Sequence, residues 1–456
     1  MKKLHVLFRK ITRKEYLPLW IFAGIQLVYH IFMTEPQGSD AMWFFSRQLD
    51  AYLLRDYLET RYEVWSSRLL IEAVLVYISR SIFWWKILDW IFWVFLAWAF
   101  AGLFPEEKRE MAAYLVVGFL CLYPLWDLRT AGWIATSTNY TWPLALGVFS
   151  LHGVTRAFYG RKTPLPLCLL YGLAALYGAN MEQMCAVLLA VNSCAVIYFF
   201  IQKKSVRDYV SVILGFVISA AEIIFIMVCP GNEARKNQEV INWMPNFKSY
   251  HLLDKASMGF LDTMHHLVTS GSLLYLCFIV LLAVLVFLKT KQLVFRVAAV
   301  LPVFLSVWLS WFGTAVKADF PAFYKLMNKS SFIRGNNYHI MANYIPTVLY
   351  LCIIGCMLLS LTAVCTSYFE LLSQTLLLAL GLATRVVMGF TPTIYVSQER
   401  TFLFLYMILG ISAVYLVQNN LPLLQEQKKA CHTLKLAGIL LTVTSVILNL
   451  AEIGSI

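Results

Sequence analysis

The stretch "MTEPQGSDAMWFFSRQLD", Met33–Asp50, places an acid, Asp40, a few residues beyond the first long apolar run. A carboxylate fixed at the end of an apolar helix can take a proton from a hydroxyl, the work of a general base. The plainer reading is an N-cap for the amphipathic stretch that follows through Trp43, Phe44 and Phe45, since Asp and Asn cap equally well. A second acid, Glu182, lies with Asn180 and Gln183 in "LYGANMEQMCAV", between two apolar runs. It either belongs to a turn satisfied by its own amides or points into a cavity.

Five arginines stand near the ends of apolar runs. They are Arg68 in "WSSRLLIE", Arg129 in "DLRTAGWIATSTNYTWP", Arg235 in "CPGNEAR", Arg385 in "LATRVVMGF" and Arg400 in "SQERTF". A guanidinium presents a planar fork of donors that suits phosphate. Arg385 and Arg400 flank a short segment broken by Pro392 and form a natural clamp, while Arg385 reads equally as a snorkelling or paired structural residue. Asn139 sits among hydroxyl, amide and aromatic side chains, a mixture that binds and stacks on sugars. Trp133 and Trp142 in the same stretch suit an interfacial aromatic belt as well.

The elements that position these residues follow from composition. The chain has 456 residues, 60% apolar and 14% charged, with mean hydropathy +0.68. Soluble domains carry roughly a quarter charged residues, so an all-α polytopic membrane protein is expected. The net charge of +12 has its ordinary cause in lysine and arginine at cytoplasmic loops, and no nucleic-acid partner is implied. The basic start, Met1–Lys14, lacks a small-residue cleavage site and reads as a cytoplasmic flank. Most of the ten cysteines lie inside apolar runs, where they act as small hydrophobes. No ligand spacing for a metal is present, the sequence requires no cofactor, and dependence on a divalent cation is left open.

A spanning helix needs about 20 apolar residues to cross about 30 Å of hydrocarbon. About thirteen runs qualify on pattern: 16–33, 85–104, 111–126, 142–155, 164–177, 185–201, 209–229, 267–288, 294–314, 344–365, 371–390, 402–417 and 436–451. The stretch Leu69–Ser79 covers only about 16 Å as a helix and is bracketed by Arg68 and Arg80. Counted as a span, it would put every later basic loop outside. Counted as an interfacial helix, it puts Arg156/Arg161/Lys162, Lys203/Lys204/Arg207, Lys289/Lys291/Arg296 and Lys428/Lys429 inside, as the positive-inside rule requires. Residues 34–84 then form one outer loop with two surface helices, and 230–266, 315–343 and 391–401 are further outer segments. The whole of 1–456 is expected to be a single integral membrane domain. No outer segment exceeds about 50 residues, too few for a nucleotide-binding α/β domain.

A basic start, one helix, then an acid within an outer loop of two surface helices resembles the GT-C superfamily of membrane glycosyltransferases. The likeness covers mainly residues 1–155, with Asp40 in "GSDAMW" at the place of the catalytic acid and "YEVWSSRLLIEAVLVYIS" at that of the second surface helix. The GT-C acid is often one of two adjacent carboxylates, whereas Asp40 has Ser39 before it and Ala41 after it. The blocks "WSSRLLIE", "GWIATSTNYTWPLALG", "GANMEQ", "CPGNEAR" and "SQERTF" also resemble a family of uncharacterised polytopic proteins from low-GC Gram-positive bacteria. The GT-C resemblance implies transfer of a sugar from a polyprenyl-phosphate carrier to a cell-envelope glycan, such as a wall polysaccharide or teichoic acid, at the outer face of a bacterial plasma membrane. Asp40 and Glu182 would supply the catalytic acids. Arg68, Arg129, Arg235, Arg385 and Arg400, with Asn139 and Asn180, would hold the donor. A transporter or flippase of a lipid-linked saccharide, or a surface-polysaccharide polymerase or ligase, would use similar residues.

Overall fold

The computed structural model describes residues 16–327 and 332–454. The basic flank Met1–Lys14 and residues 328–331 of the expected outer segment 315–343 lie outside them. No strand occurs among the described residues. Among the described residues, eight helices are long and apolar enough to cross a membrane, or nine if Leu252–Thr269 and Leu273–Lys289, bent by 77°, count as one span.

Helix covers most of each of the thirteen expected segments, but four fall short of spanning length. Leu17–Phe32 has 16 residues, Leu165–Ala179 has 15 and Arg109–Cys121 has 13. Segment 142–155 is divided between Trp142–Ser150 and His152–Phe158. At about 1.5 Å per residue, even the first of these covers only about 24 Å. The spanning helices turn large apolar side chains outward, as at Phe200, Met227 and Leu293, and bury polar ones such as Asn192 and Ser219. That inversion of the soluble pattern suits a lipid solvent, and the chain is a multi-pass membrane protein.

The described residues fall into two compact units: 16–238 with 398–400 and 442–454, and the remainder. In the first unit, Leu17–Phe32, Ile82–Ala101, Arg109–Cys121, Trp142–Ser150, Leu165–Ala179, Glu182–Ile201 and Val210–Val228 alternate in direction. One end of this bundle gathers the basic loops, where Arg161 pairs with Glu106 at 2.5 Å and Lys204 donates to the Ala157 carbonyl at 3.0 Å. The opposite end gathers Met33–Asp40, Ser66–Arg68, Asp127–Asn139, Asn180–Glu182 and Pro230–Arg235, the stretches singled out in the sequence.

Between Phe32 and Ile82 the chain forms short helices, the longer two being Leu54–Val64 and Leu69–Ile78. The first surface helix expected from the sequence is broken, because the chain is extended at Tyr52 and Leu53 before Leu54–Val64 begins. Leu69–Ile78 has ten residues, about 15 Å, and does not reach across a bilayer. The stretch Trp133–Ser150 is one helical rod with a π-helical turn at Ser137–Thr141. Pro143 explains the turn: its ring would strike the carbonyl of Asn139 in a regular helix, and the wider turn relieves that.

The second unit contains the bent pair, then Leu293–Ser310, Tyr344–Val364, Tyr368–Val386 and Leu403–Asn419. Two short helices, Gly313–Asp319 and Pro321–Leu326, occupy part of the expected outer segment 315–343.

Candidate functional site

Two polar clusters form at the end of the first unit away from its basic loops. The first is a closed network around Arg68, at the N-terminus of Leu69–Ile78. The Arg68 Nε donates to Glu182 Oε2 at 2.8 Å, and its Nη1 donates to Asn139 Oδ1 at 3.1 Å. The π turn that accommodates Pro143 places Asn139 here, and its Nδ2 donates back to the Ala135 carbonyl at 2.8 Å. Asn180 is buried; it accepts from the N–H of Ile71 at 3.1 Å and donates to Glu222 at 2.7 Å and the Ser67 carbonyl at 3.3 Å. Asn232 donates to Ser67 Oγ at 3.0 Å and to the Ile226 carbonyl at 2.9 Å. Gly231 makes that approach possible, since a Cβ there would meet the backbone of Tyr62 and Trp65 at 2.6 and 2.5 Å. Arg235 lies within electrostatic reach of Glu182.

Four of the quoted blocks therefore meet at one place: "WSSRLLIE", "STNYTW", "GANMEQ" and "CPGNEAR". Their polar side chains are spent mostly on one another. Arg68 and Glu182 neutralise each other, with side chains 16% and 28% exposed. Glu72, on the buried face of Leu69–Ile78, accepts from the Tyr57 hydroxyl at 2.9 Å and from Arg61 at 2.8 Å.

The second cluster surrounds Asp40. The loop 33–40 folds onto the turn before Trp133, with the Asp40 N–H donating to the Ala131 carbonyl at 3.1 Å. Glu35 accepts from the N–H of Ile134 at 3.1 Å and so sits on the N-terminus of the Trp133–Ser150 rod, where a carboxylate is favoured. Gly132 adopts φ +92°, which only glycine holds comfortably, and a Cβ there would collide with the Glu35 side chain and Ser39. Asp40 makes no capping hydrogen bond. The bonds at the start of the following π turn are accepted by the Ser39 carbonyl, from Met42 and Trp43 at 3.1 and 3.0 Å. The Asp40 carboxylate is thus available for other work.

Burial raises the pKa of Asp40, and the nearby Arg400 charge opposes the rise. Burial also raises that of Glu35, against hydrogen bonds from Ser39 and Ile134, and the Asp40 charge pushes it further. Two carboxylates therefore share the site, although they are five residues apart in sequence. The second was missed because Glu35, between Thr34 and Pro36, reads as part of a loop. Asp127 is driven well up by burial and by the like charges of Glu399 and Glu452. Arg129 stacks its guanidinium over Trp126 at 4.4 Å, and both Arg129 Nε and Arg400 Nε are buried without a hydrogen-bond partner.

Arg385 belongs to the second unit. It is 1% exposed, donates to Asp262 at 2.5 Å and lies 4.4 Å over the Phe402 ring. Its charge is already balanced, which favours the paired structural reading over a phosphate ligand. Trp133 and Trp142 are each 2% exposed, so neither forms an interfacial belt or an open sugar platform. Trp142 donates to Asp89 at 2.7 Å, and His30 meets the other Asp89 oxygen at 2.9 Å. Asp89 was legible as a lone acid inside "WWKILDWIFW", and Asp262 as one within a helical stretch, but nothing in the sequence names their partners. Among the described residues no three His, Cys, Asp or Glu side chains converge as a metal would require.

No family model matches this chain, and no curated protein or solved structure matches it.

Proposed function

We propose that this protein is a GT-C-like membrane glycosyltransferase that takes a sugar from a polyprenyl-phosphate carrier at the outer face of a bacterial plasma membrane. The observation that carries the reading is the pairing of Asp40 with Glu35 beside Arg400, at the bundle end away from the basic loops. The positive-inside rule puts that end outside. The four short segments complete the thirteen crossings in this reading, by local thinning of the bilayer.

Asp40 accepts the proton of an acceptor hydroxyl as that oxygen attacks the anomeric carbon. The bond from that carbon to the carrier phosphate breaks, and polyprenyl phosphate leaves as an anion. Burial makes Asp40 a stronger base than a solvated aspartate, and the Arg400 charge opposes that rise. Arg400 and Arg129 have buried donors to meet the charge growing on the leaving phosphate. Arg68, Glu182, Asn139 and Asn180 hold the loop in place, and the acceptor is a cell-envelope glycan.

The test is turnover of a polyprenyl-phosphate-linked sugar by the reconstituted full-length protein. Asp40→Asn should lower it by about 10²–10⁴, the usual contribution of a general base, with thermal stability no lower than wild type. Turnover within twofold of wild type would remove Asp40 from the chemistry.

The second unit favours a rival reading, a flippase for a lipid-linked saccharide. An ion pair buried between membrane helices, Arg385–Asp262, beside a helix broken by 77°, is the kind of feature that transporters place at a substrate path. Asp262→Asn abolishing transbilayer movement of the carrier, with Asp40→Asn silent, would favour it.

A further inference from the structure

The opposite end of the first unit holds a cavity that the reading above does not use. It has a volume of about 190 Å³ and is lined by Arg109, Arg156, Arg161, His152, Thr155 and Glu106 among others. Three guanidinium groups thus face one space with one carboxylate. Arg161 is fixed by Glu106 at 2.5 Å, and Arg156 is fixed by donating to the Lys162 carbonyl at 2.5 Å. The buried His152 ring donates from Nε2 to the Ala99 carbonyl at 2.7 Å, which leaves Nδ1 as its acceptor and orients the wall.

Basic residues at the inner ends of membrane helices usually reach into water, and the positive-inside bias needs no cavity. Here the Nε donors of Arg109 and Arg156 are buried with no hydrogen-bond partner. An unsatisfied buried N–H is costly, more so on a charged group. Arginines that converge on a concave space with donors left over need an acceptor with several oxygens and negative charge.

We infer that this cavity binds a phosphate or diphosphate group, with Arg109, Arg156 and Arg161 as its ligands. Planar forks pair two oxygens at a time, which favours phosphate over a single carboxylate. The Thr155 hydroxyl on the wall already donates to the His152 carbonyl at 3.0 Å, so the arginines supply the donors. The phosphate is carried either by a lipid headgroup at this face or by a small soluble anion. The site does not depend on the reaction proposed at the other end of the bundle.

The experiment is titration calorimetry of the full-length protein in an uncharged detergent, with two probes: sodium pyrophosphate and dihexanoyl phosphatidic acid. Both should bind saturably and compete. Arg109→Gln should weaken binding tenfold or more, and Arg156→Gln likewise, so a misfolded variant at one position leaves the other to decide. Lys203→Gln removes one charge at the same end but outside the cavity lining, and should change binding by less than twofold. Phosphatidic acid binding tenfold more tightly than pyrophosphate assigns a lipid headgroup. The reverse order assigns a soluble anion. Saturable binding by neither probe overturns the site. So does binding that the arginine variants leave unchanged, or that Lys203→Gln weakens as much as they do.

Discussion

The Arg68 network and the Asp40 cluster occupy the same end of one bundle, yet they differ in how their charges are settled. Around Arg68, charges and amides meet partners within hydrogen-bond distance, from helices up to 165 residues apart in sequence. Around Asp40, three carboxyl groups are pushed above their ordinary range by burial, and two guanidinium groups keep buried donors without partners. A satisfied network rigidifies, and an unsatisfied one stores electrostatic free energy that a substrate can release. In the proposed reading the first cluster holds and the second does the chemistry, and substitutions can set the two apart.

The largest effect should come from the holding cluster. Arg68→Ala leaves Glu182 partly buried without its partner, and should destabilise the protein by about 3–5 kcal/mol in denaturant unfolding from mixed micelles. A loss below about 1 kcal/mol, with activity abolished, would move Arg68 into the chemical cluster.

Arg400→Ala should do the opposite. Losing one charge-assisted contact to phosphate costs about 1.5–3 kcal/mol in transition-state stabilisation, a roughly ten- to hundredfold drop in kcat/KM. Unfolding should be unaffected, and Arg400→Lys should restore only part of the rate because ammonium lacks the fork.

Gly132→Ala joins the two effects at smaller scale. The backbone at φ +92° costs of order 1–3 kcal/mol for a residue with a side chain, and the added methyl displaces Glu35. Stability and turnover should therefore fall together, whereas each arginine substitution moves only one of them.

Asp127→Asn should give the smallest change, and its sign depends on pH. A carboxyl whose folded pKa lies above its unfolded value contributes stability that is fully present at low pH and is lost as pH rises through the raised value. The variant should match wild type near pH ~4, the ordinary carboxyl range, and be more stable than wild type at neutral pH. A melting curve taken at both values decides the matter. Lower stability at neutral pH would mean that Asp127 is ionised and held by an unrecognised cation.

Much of the fold was legible in the sequence because lipid exposure imposes long apolar runs, and helix lies along all thirteen. Span length was less legible. Hydropathy does not reveal that the run 142–155 divides at Leu151, or that Leu252–Thr269 and Leu273–Lys289 meet at a bend of 77°. For the site, the quoted blocks could be picked out singly, but not which of them meet. Glu182 and Arg68 stand 114 residues apart, and no local pattern tells that each is the other's partner. Asp40 was found because an acid beside an apolar run is conspicuous, while Glu35 was hidden in a Thr-Glu-Pro loop and becomes visible only once Gly132 brings the turn against it.

The bonds of Asn449 fix more than geometry. Its side chain accepts from the Leu125 N–H at 3.0 Å and donates to the Tyr123 carbonyl at 3.0 Å, clamping the turn that carries Asp127. At about 5–20 residues per second, roughly 15–60 s of synthesis separate the two segments. Arg400 likewise emerges long after Asp40. A nascent chain that stalls before either residue holds an inserted bundle whose acids still lack their neighbours. The ribosome thus supplies the last members of this cluster near the end of synthesis.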